Sequence, residues 1–261
     1  MLVSAHFNTL GKETTMVLFT KDGFNGELRI AHVIFAVMWM GLLWFFNFVQ
    51  TPAYAEMDPA ARNNAFDKVT WRALWWFRWA AMATFVSGLL MLAVNMGGDG
   101  YSGDFWKSPS GGVLAVAIVF ATIMAANVWM VIWPNQQIVI ANARAVAAGG
   151  EANPEAPKAA RRGAMASRQN TIFSFTVFLG MIGTQHFFGL FESASGGVRA
   201  LFYILMVAIA VVMELNALGK FGTEVGKPNT KIYDTHQAAI YAGLGLMVFV
   251  WLYYEIFLGK A

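Results

Sequence analysis

Within the stretch RIAHVIFAVMWMGLLWFFNFVQTPAYA (29–55), the twenty residues Ile30 to Val49 hold only two clearly polar side chains, His32 and Asn47. As an α-helix they reach about 30 Å, the thickness of a bilayer's hydrocarbon core, so the sequence predicts a transmembrane helix. At about 100° per residue, His32, Ala36, Trp39, Leu43, Asn47 and Gln50 share a narrow stripe on it. Lipid satisfies neither an imidazole nor an amide, so that stripe must face other helices. The PAYA that follows imitates a signal-peptidase site, but the apolar run is too long for the roughly 7–15 residues of a signal peptide.

Composition carries the same conclusion to the whole chain. Its 261 residues are 57% hydrophobic and 13% charged, with mean hydropathy +0.51, which is an integral membrane protein rather than a soluble domain. There is no cysteine, which removes disulfides, thiolate-held zinc, iron–sulfur clusters and covalent c-type haem. Any redox cofactor must be held noncovalently or by histidine. The net charge of +3 fits basic cytoplasmic loops, and no nucleic-acid partner is expected; membrane lipid is the first partner.

Further apolar runs follow at Trp75–Val94, Val113–Trp133, Thr171–Phe191, Val198–Leu218 and His236–Leu258. The fold class expected is therefore all-α: a six-transmembrane-helix bundle over residues 30–258, preceded by a polar tail at 1–29. Trp71, Trp75, Trp76 and Trp79 form an interfacial belt on helix two, and Pro134 stops or kinks helix three. Asn135–Ala148 reads as a cytoplasmic helical extension between helices three and four, closed by a turn at Gly149–Pro157. The loops after helices one, three and five, with the start of helix two, hold twelve of the eighteen Lys and Arg residues. The positive-inside rule then places both termini outside the cytoplasm, in the periplasm of a bacterial inner membrane.

With that orientation, His32 early in helix one and His186 late in helix four lie at similar depth near the outer face. Two histidines on different helices are what an axially ligated haem b, or one part of a copper site, requires, with Gln185 available to orient a ring. The structural alternative is that each bonds a backbone carbonyl or caps a helix. Glu214, late in helix five, is a candidate proton acceptor or substrate contact, and equally a candidate ion-pair partner for Arg72, Arg78 or Arg168. Arg72 and Arg168 are candidates to hold an anionic substrate, although a cytoplasmic boundary needs basic residues anyway. His236, with Asp234 and Thr235, reads as the start of helix six.

The segments HVIFAVMWMGLLWFFNFVQTPA, WPNQQIVIANA and AARRGAMASRQNTIFSFTVFLGMIGTQHF together resemble the membrane domain of the bacterial PuuD-type urate oxidases, or urate hydroxylases. That resemblance runs from about Ile30 to Tyr254 and is most specific over Ala159–Phe187. It implies oxidation of urate to 5-hydroxyisourate, with electrons passed to a cytochrome c. Full-length members carry a cytochrome c domain; this sequence ends at Ala261 without CxxCH, so a separate cytochrome c is expected. The spacing His32, Trp39, Gly41 also resembles the first helix of CopD-like and HemJ-type membrane proteins, the latter haem-containing protoporphyrinogen oxidases. That similarity implies a haem-ligand role for His32 and places Trp39 beside the cofactor. The expectation that follows is a membrane oxidoreductase oxidising urate through haem b. The alternatives are a haem-bearing or structural subunit of a respiratory complex, copper handling, and protoporphyrinogen oxidation.

Overall fold

The computed structural model describes residues 19–96, 101, 103–186 and 195–258. Six long helices make up most of it: α1 (Lys21–Glu56), α2 (Pro59–Met96), α3 (Pro109–Ala147), α4 (Ala156–His186), α5 (Gly196–Ala217) and α6 (His236–Leu258). No β-strand occurs among the described residues. Five of the six helices are long and apolar enough to cross a membrane. The exception is α4, which carries many polar and small residues; the last part of its expected span, Phe187–Phe191, lies outside the described residues.

The helices alternate in direction. Asn25 on α1 and Asn95 on α2 exchange hydrogen bonds of 3.1 Å at one end, and Arg199 at the start of α5 donates to the Lys107 carbonyl just before α3. Arg144 on α3 pairs with Asp67 on α2 at the other end, and Arg161 on α4 pairs with Asp234 before α6. These are called below the histidine end and the arginine end.

Capping sets the starts. Thr20 accepts from the Gly23 amide, Ser108 from Gly111, and Thr235 from Ala238. The Thr20 cap begins α1 at Lys21, so the last nine residues of the expected tail are helical; residues 1–18 lie outside the described residues. The expected start of helix six at His236 coincides with α6, although Thr235 alone provides the cap and Asp234 turns to Arg161.

Proline does not end helix three. α3 passes through Pro134 to Ala147, because a π-helical segment, Asn127–Ile132, comes just before it. The wider π register accommodates the residue that lacks an N–H. α1 repeats the device with a π segment at Phe45–Gln50 before Pro52.

α4 lies at the centre, packed against α1, α3, α5 and α6. Two glycines permit the closest approaches. A Cβ at Gly180 would lie 2.5 Å from Ala117 Cβ and 2.9 Å from the Val113 carbonyl; one at Gly243 would lie 2.5 Å from a Phe175 ring carbon. Phe120 on α3 stacks on Phe173 at 4.2 Å, and Trp44 on α1 stacks on Phe175 at 5.7 Å. The outer surface is largely apolar, and three of the four tryptophans of the expected belt, Trp75, Trp76 and Trp79, are exposed on it. Trp71 instead packs on Trp133. Gly180→Val should lower the thermal-unfolding midpoint in detergent by the equivalent of about 1–3 kcal/mol, because α3 and α4 must separate. Gly41→Ala, with nothing within 4 Å of the added carbon, should leave the midpoint unchanged or raise it.

Candidate functional site

α4 brings a run of polar residues into the core: Gln169, Asn170, Thr171 and Ser174 are fully buried. Each is engaged. Asn170 donates to the Met124 carbonyl at 2.9 Å and accepts from Asn127 of α3 at 3.1 Å. Asn127 also donates to Glu214 Oε2 of α5 at 2.9 Å, so three helices meet at one amide. Gln169 Oε1 accepts from the Tyr233 hydroxyl at 2.7 Å, while Gln169 Nε2 is buried with no partner among the described residues. On the α1 side, Asn47 donates to Ser167 at 2.8 Å and the Trp44 indole to Ser174 at 3.0 Å.

The sequence sets this up locally. Asn47 and Asn127 each sit in a π-helical segment, and such segments recur at functional sites because they turn a side chain out of the regular α register. Tyr233 comes from a short turn before α6, anchored by Arg161 and Arg168, which both donate to the Tyr233 carbonyl. Its phenol is held above the usual tyrosine range, chiefly by burial and then by the charge of Glu214. It therefore stays a neutral donor.

The sequence candidates separate into two regions. Glu214 meets Asn127 rather than an arginine. Arg168 holds the Tyr233 and Asp234 carbonyls, and Asp234 forms its ion pair with Arg161 at 2.7 Å. Arg72 is exposed and donates to the Lys68 carbonyl, one turn away. Arg78 lies 3.9 Å from the Trp133 ring centroid, a cation–π contact.

At the histidine end, His32 Nδ1 lies 3.1 Å from Ser87 Oγ of α2, and the Thr84 backbone also hydrogen-bonds the ring. Gly88 makes room for it: a Cβ there would come within 3.2 Å of the imidazole Cε1. Trp39, Leu43, Asn47 and Gln50 are buried, as the stripe on helix one requires. The Trp39 indole nitrogen has no partner among the described residues. His186 ends α4 with an exposed side chain, and the Gln185 side chain lies outside the described residues. The antiparallel pairing of Asn47 with Ser167 and of Trp44 with Ser174 carries His186 toward the depth of His32. The two rings make no contact with each other. Among the described residues, His32 is the one imidazole at this end held by a neighbouring helix, its Nδ1 on Ser87, so it is the residue that could hold a cofactor there. No group of three or more His, Asp or Glu residues suited to a metal ion occurs among the described residues.

Sequence reading missed Asn127, Gln169, Asn170 and Tyr233. The signal available was Asn127 inside an otherwise apolar run, and the SRQN stretch, which read as an interfacial lead-in to helix four. Asn127→Ala should destabilise the protein by about 1–3 kcal/mol by leaving the Glu214 carboxyl without its donor. Thr122→Ala, at an exposed residue that bonds only its own helix, should leave the thermal midpoint in detergent near wild type.

No curated protein and no solved structure matches the chain. Residues 100–226 match the family model described as urate oxidase N-terminal, a segment that contains α3, α4 and α5 with Asn127, Gln169, Asn170 and Glu214. Over that segment the chain is similar to the urate oxidase N-terminal family.

Proposed function

We propose that the protein is a multi-pass oxidoreductase of the bacterial inner membrane that oxidises urate and delivers the electrons to a cytochrome c. The observation that carries this reading is the urate oxidase N-terminal match over residues 100–226, which coincides with most of the buried polar network. Urate and one water give 5-hydroxyisourate, two protons and two electrons, and two ferricytochromes c take one electron each. These 261 residues hold no cysteine to attach a c-type haem, so the accepting haem in this reading lies outside them.

All six helices cross the membrane in this reading, since α4 alternates with its neighbours from Arg161 at one end to Thr184, which bonds the Ser110 carbonyl, at the other. The excess of Lys and Arg puts the arginine end in the cytoplasm and both termini in the periplasm. Haem b would supply a one-electron relay when bound; His32 and His186 would hold it, with Ser87 fixing the His32 imidazole and Trp39 on the same helix face. Glu214, fixed by Asn127, is a proton acceptor within the network, and Arg168 holds the turn that places Tyr233 against Gln169.

The test is a spectrum of detergent-purified protein, with a pyridine haemochrome assay and urate-dependent reduction of cytochrome c. A b-type signal that is lost in His32→Ala and in His186→Ala, with urate-dependent reduction in wild type, is the expected result. Protein from haem-replete cells that carries copper and no haem would overturn the haem assignment. Stable copurification with other redox subunits and no urate turnover would make the chain a subunit instead.

A further inference from the structure

Toward the arginine end, the seam between α2 and α3 carries a ladder of cations and indoles. The Arg144 guanidinium lies 5.0 Å from the Trp71 ring centroid, Trp71 packs on Trp133 at 5.3 Å, and Arg78 lies 3.9 Å from the Trp133 centroid. Arg78 also stands 5.6 Å from Trp129 and 5.7 Å from Trp79, whose rings meet edge to face at 5.3 Å. The Trp129 indole donates to the Arg78 carbonyl at 3.1 Å, so α3 holds the cage in place. The two cations differ in their partners. Arg144 is neutralised by Asp67. Among the described residues no carboxylate lies within ion-pair distance of Arg78, no acceptor takes a hydrogen bond from its guanidinium, and its Nε is buried. Arg78 is about 16 Å along α2 from Asp67, with the exposed indoles of Trp75, Trp76 and Trp79 around it and the exposed Met130 beside Trp129.

We propose that this cage binds the phosphate of an anionic phospholipid from the leaflet at the arginine end. A guanidinium has five N–H donors, and at a membrane boundary they need an anion or water. Indole faces attract the charge but leave the N–H edge without an oxygen. A phosphodiester supplies two oxygens in the geometry that the guanidinium fork takes. The exposed indoles set Arg78 at headgroup depth, and Trp79 and Met130 give the acyl chains an apolar surface. A zwitterionic headgroup would bring its own ammonium beside the arginine, whereas an anionic one leaves its phosphate charge to Arg78. The cage therefore selects lipids of the phosphatidylglycerol class. This site is independent of the urate reading.

Native mass spectrometry and thermal unfolding of delipidated, detergent-purified protein titrated with phosphatidylglycerol test this. Arg78→Gln should weaken retention of the lipid about tenfold or more, and Arg78→Lys, which keeps the charge without the fork, should fall between. Phosphatidylglycerol should raise the unfolding midpoint of wild type and leave that of Arg78→Gln nearly unmoved. Arg162→Gln, at an exposed cation of α4 at the same end, should behave as wild type. On wild type, phosphatidylcholine should give a much smaller shift, and inorganic phosphate at the same concentration none. Equal phosphatidylglycerol binding by wild type and monodisperse Arg78→Gln would overturn the site. Phosphatidylcholine bound as tightly as phosphatidylglycerol by wild type would overturn its choice of an anionic lipid, and a matching shift with inorganic phosphate would overturn lipid as the occupant.

Discussion

The structure depends on the need to satisfy the polar groups of α4 away from water. A helix carrying Gln169, Asn170, Thr171 and Ser174 cannot face hydrocarbon, where an unpaired amide or hydroxyl costs several kcal/mol. It must sit where other helices cover every side and supply partners. Trp44 and Asn47 of α1, Asn127 of α3 and Tyr233 before α6 do this. The glycines at 180 and 243 let those partners come close enough, since a side chain at either position would collide with a neighbouring helix.

The same requirement explains the irregular backbone. A regular α-helix sends its side chains out at fixed angles, and the π segments at Phe45–Gln50 and Asn127–Ile132 each carry an asparagine that reaches α4. Each is followed by a proline, Pro52 and Pro134, at the place where the chain returns to α geometry. The wider register thus does two things: it aims a polar group inward and tolerates a residue without an N–H.

Chemistry is divided between the two ends of the bundle. The arginine end uses several of its charges for architecture: Asp67 with Arg144, Asp234 with Arg161, and the Tyr233 turn under Arg168. The histidine end has fewer charges, placed beside aromatic groups: the imidazole of His32 on Ser87, and Arg199 with the phenols of Tyr203 and Tyr254. Glu214, in the last turn of α5 toward the arginine end, is tied through Asn127 to α4.

Much of this was legible in the sequence. The apolar run at Ile30–Val49, the stripe through Trp39, Leu43 and Asn47, the tryptophan belt and the start of α6 at His236 follow from periodicity, hydropathy and capping, which are properties of neighbouring residues. The motifs that resemble urate oxidases lie partly in the segment that matches the family. Other features were not legible. The Thr20 cap carries α1 nine residues beyond its apolar run, and α3 passes Pro134 because a π segment precedes it. Gln169 and Asn170 read as interfacial because they adjoin arginines in sequence, and only the packing of four helices around α4 buries them. The convergence of Tyr203 from α5 and Tyr254 from α6 on Gly112 of α3 is likewise invisible along the chain. Local sequence determined which segments are helices and which faces are apolar. Tertiary structure decided which polar groups meet, because a hydrogen bond between helices depends on register and crossing distance, and no single helix carries that information.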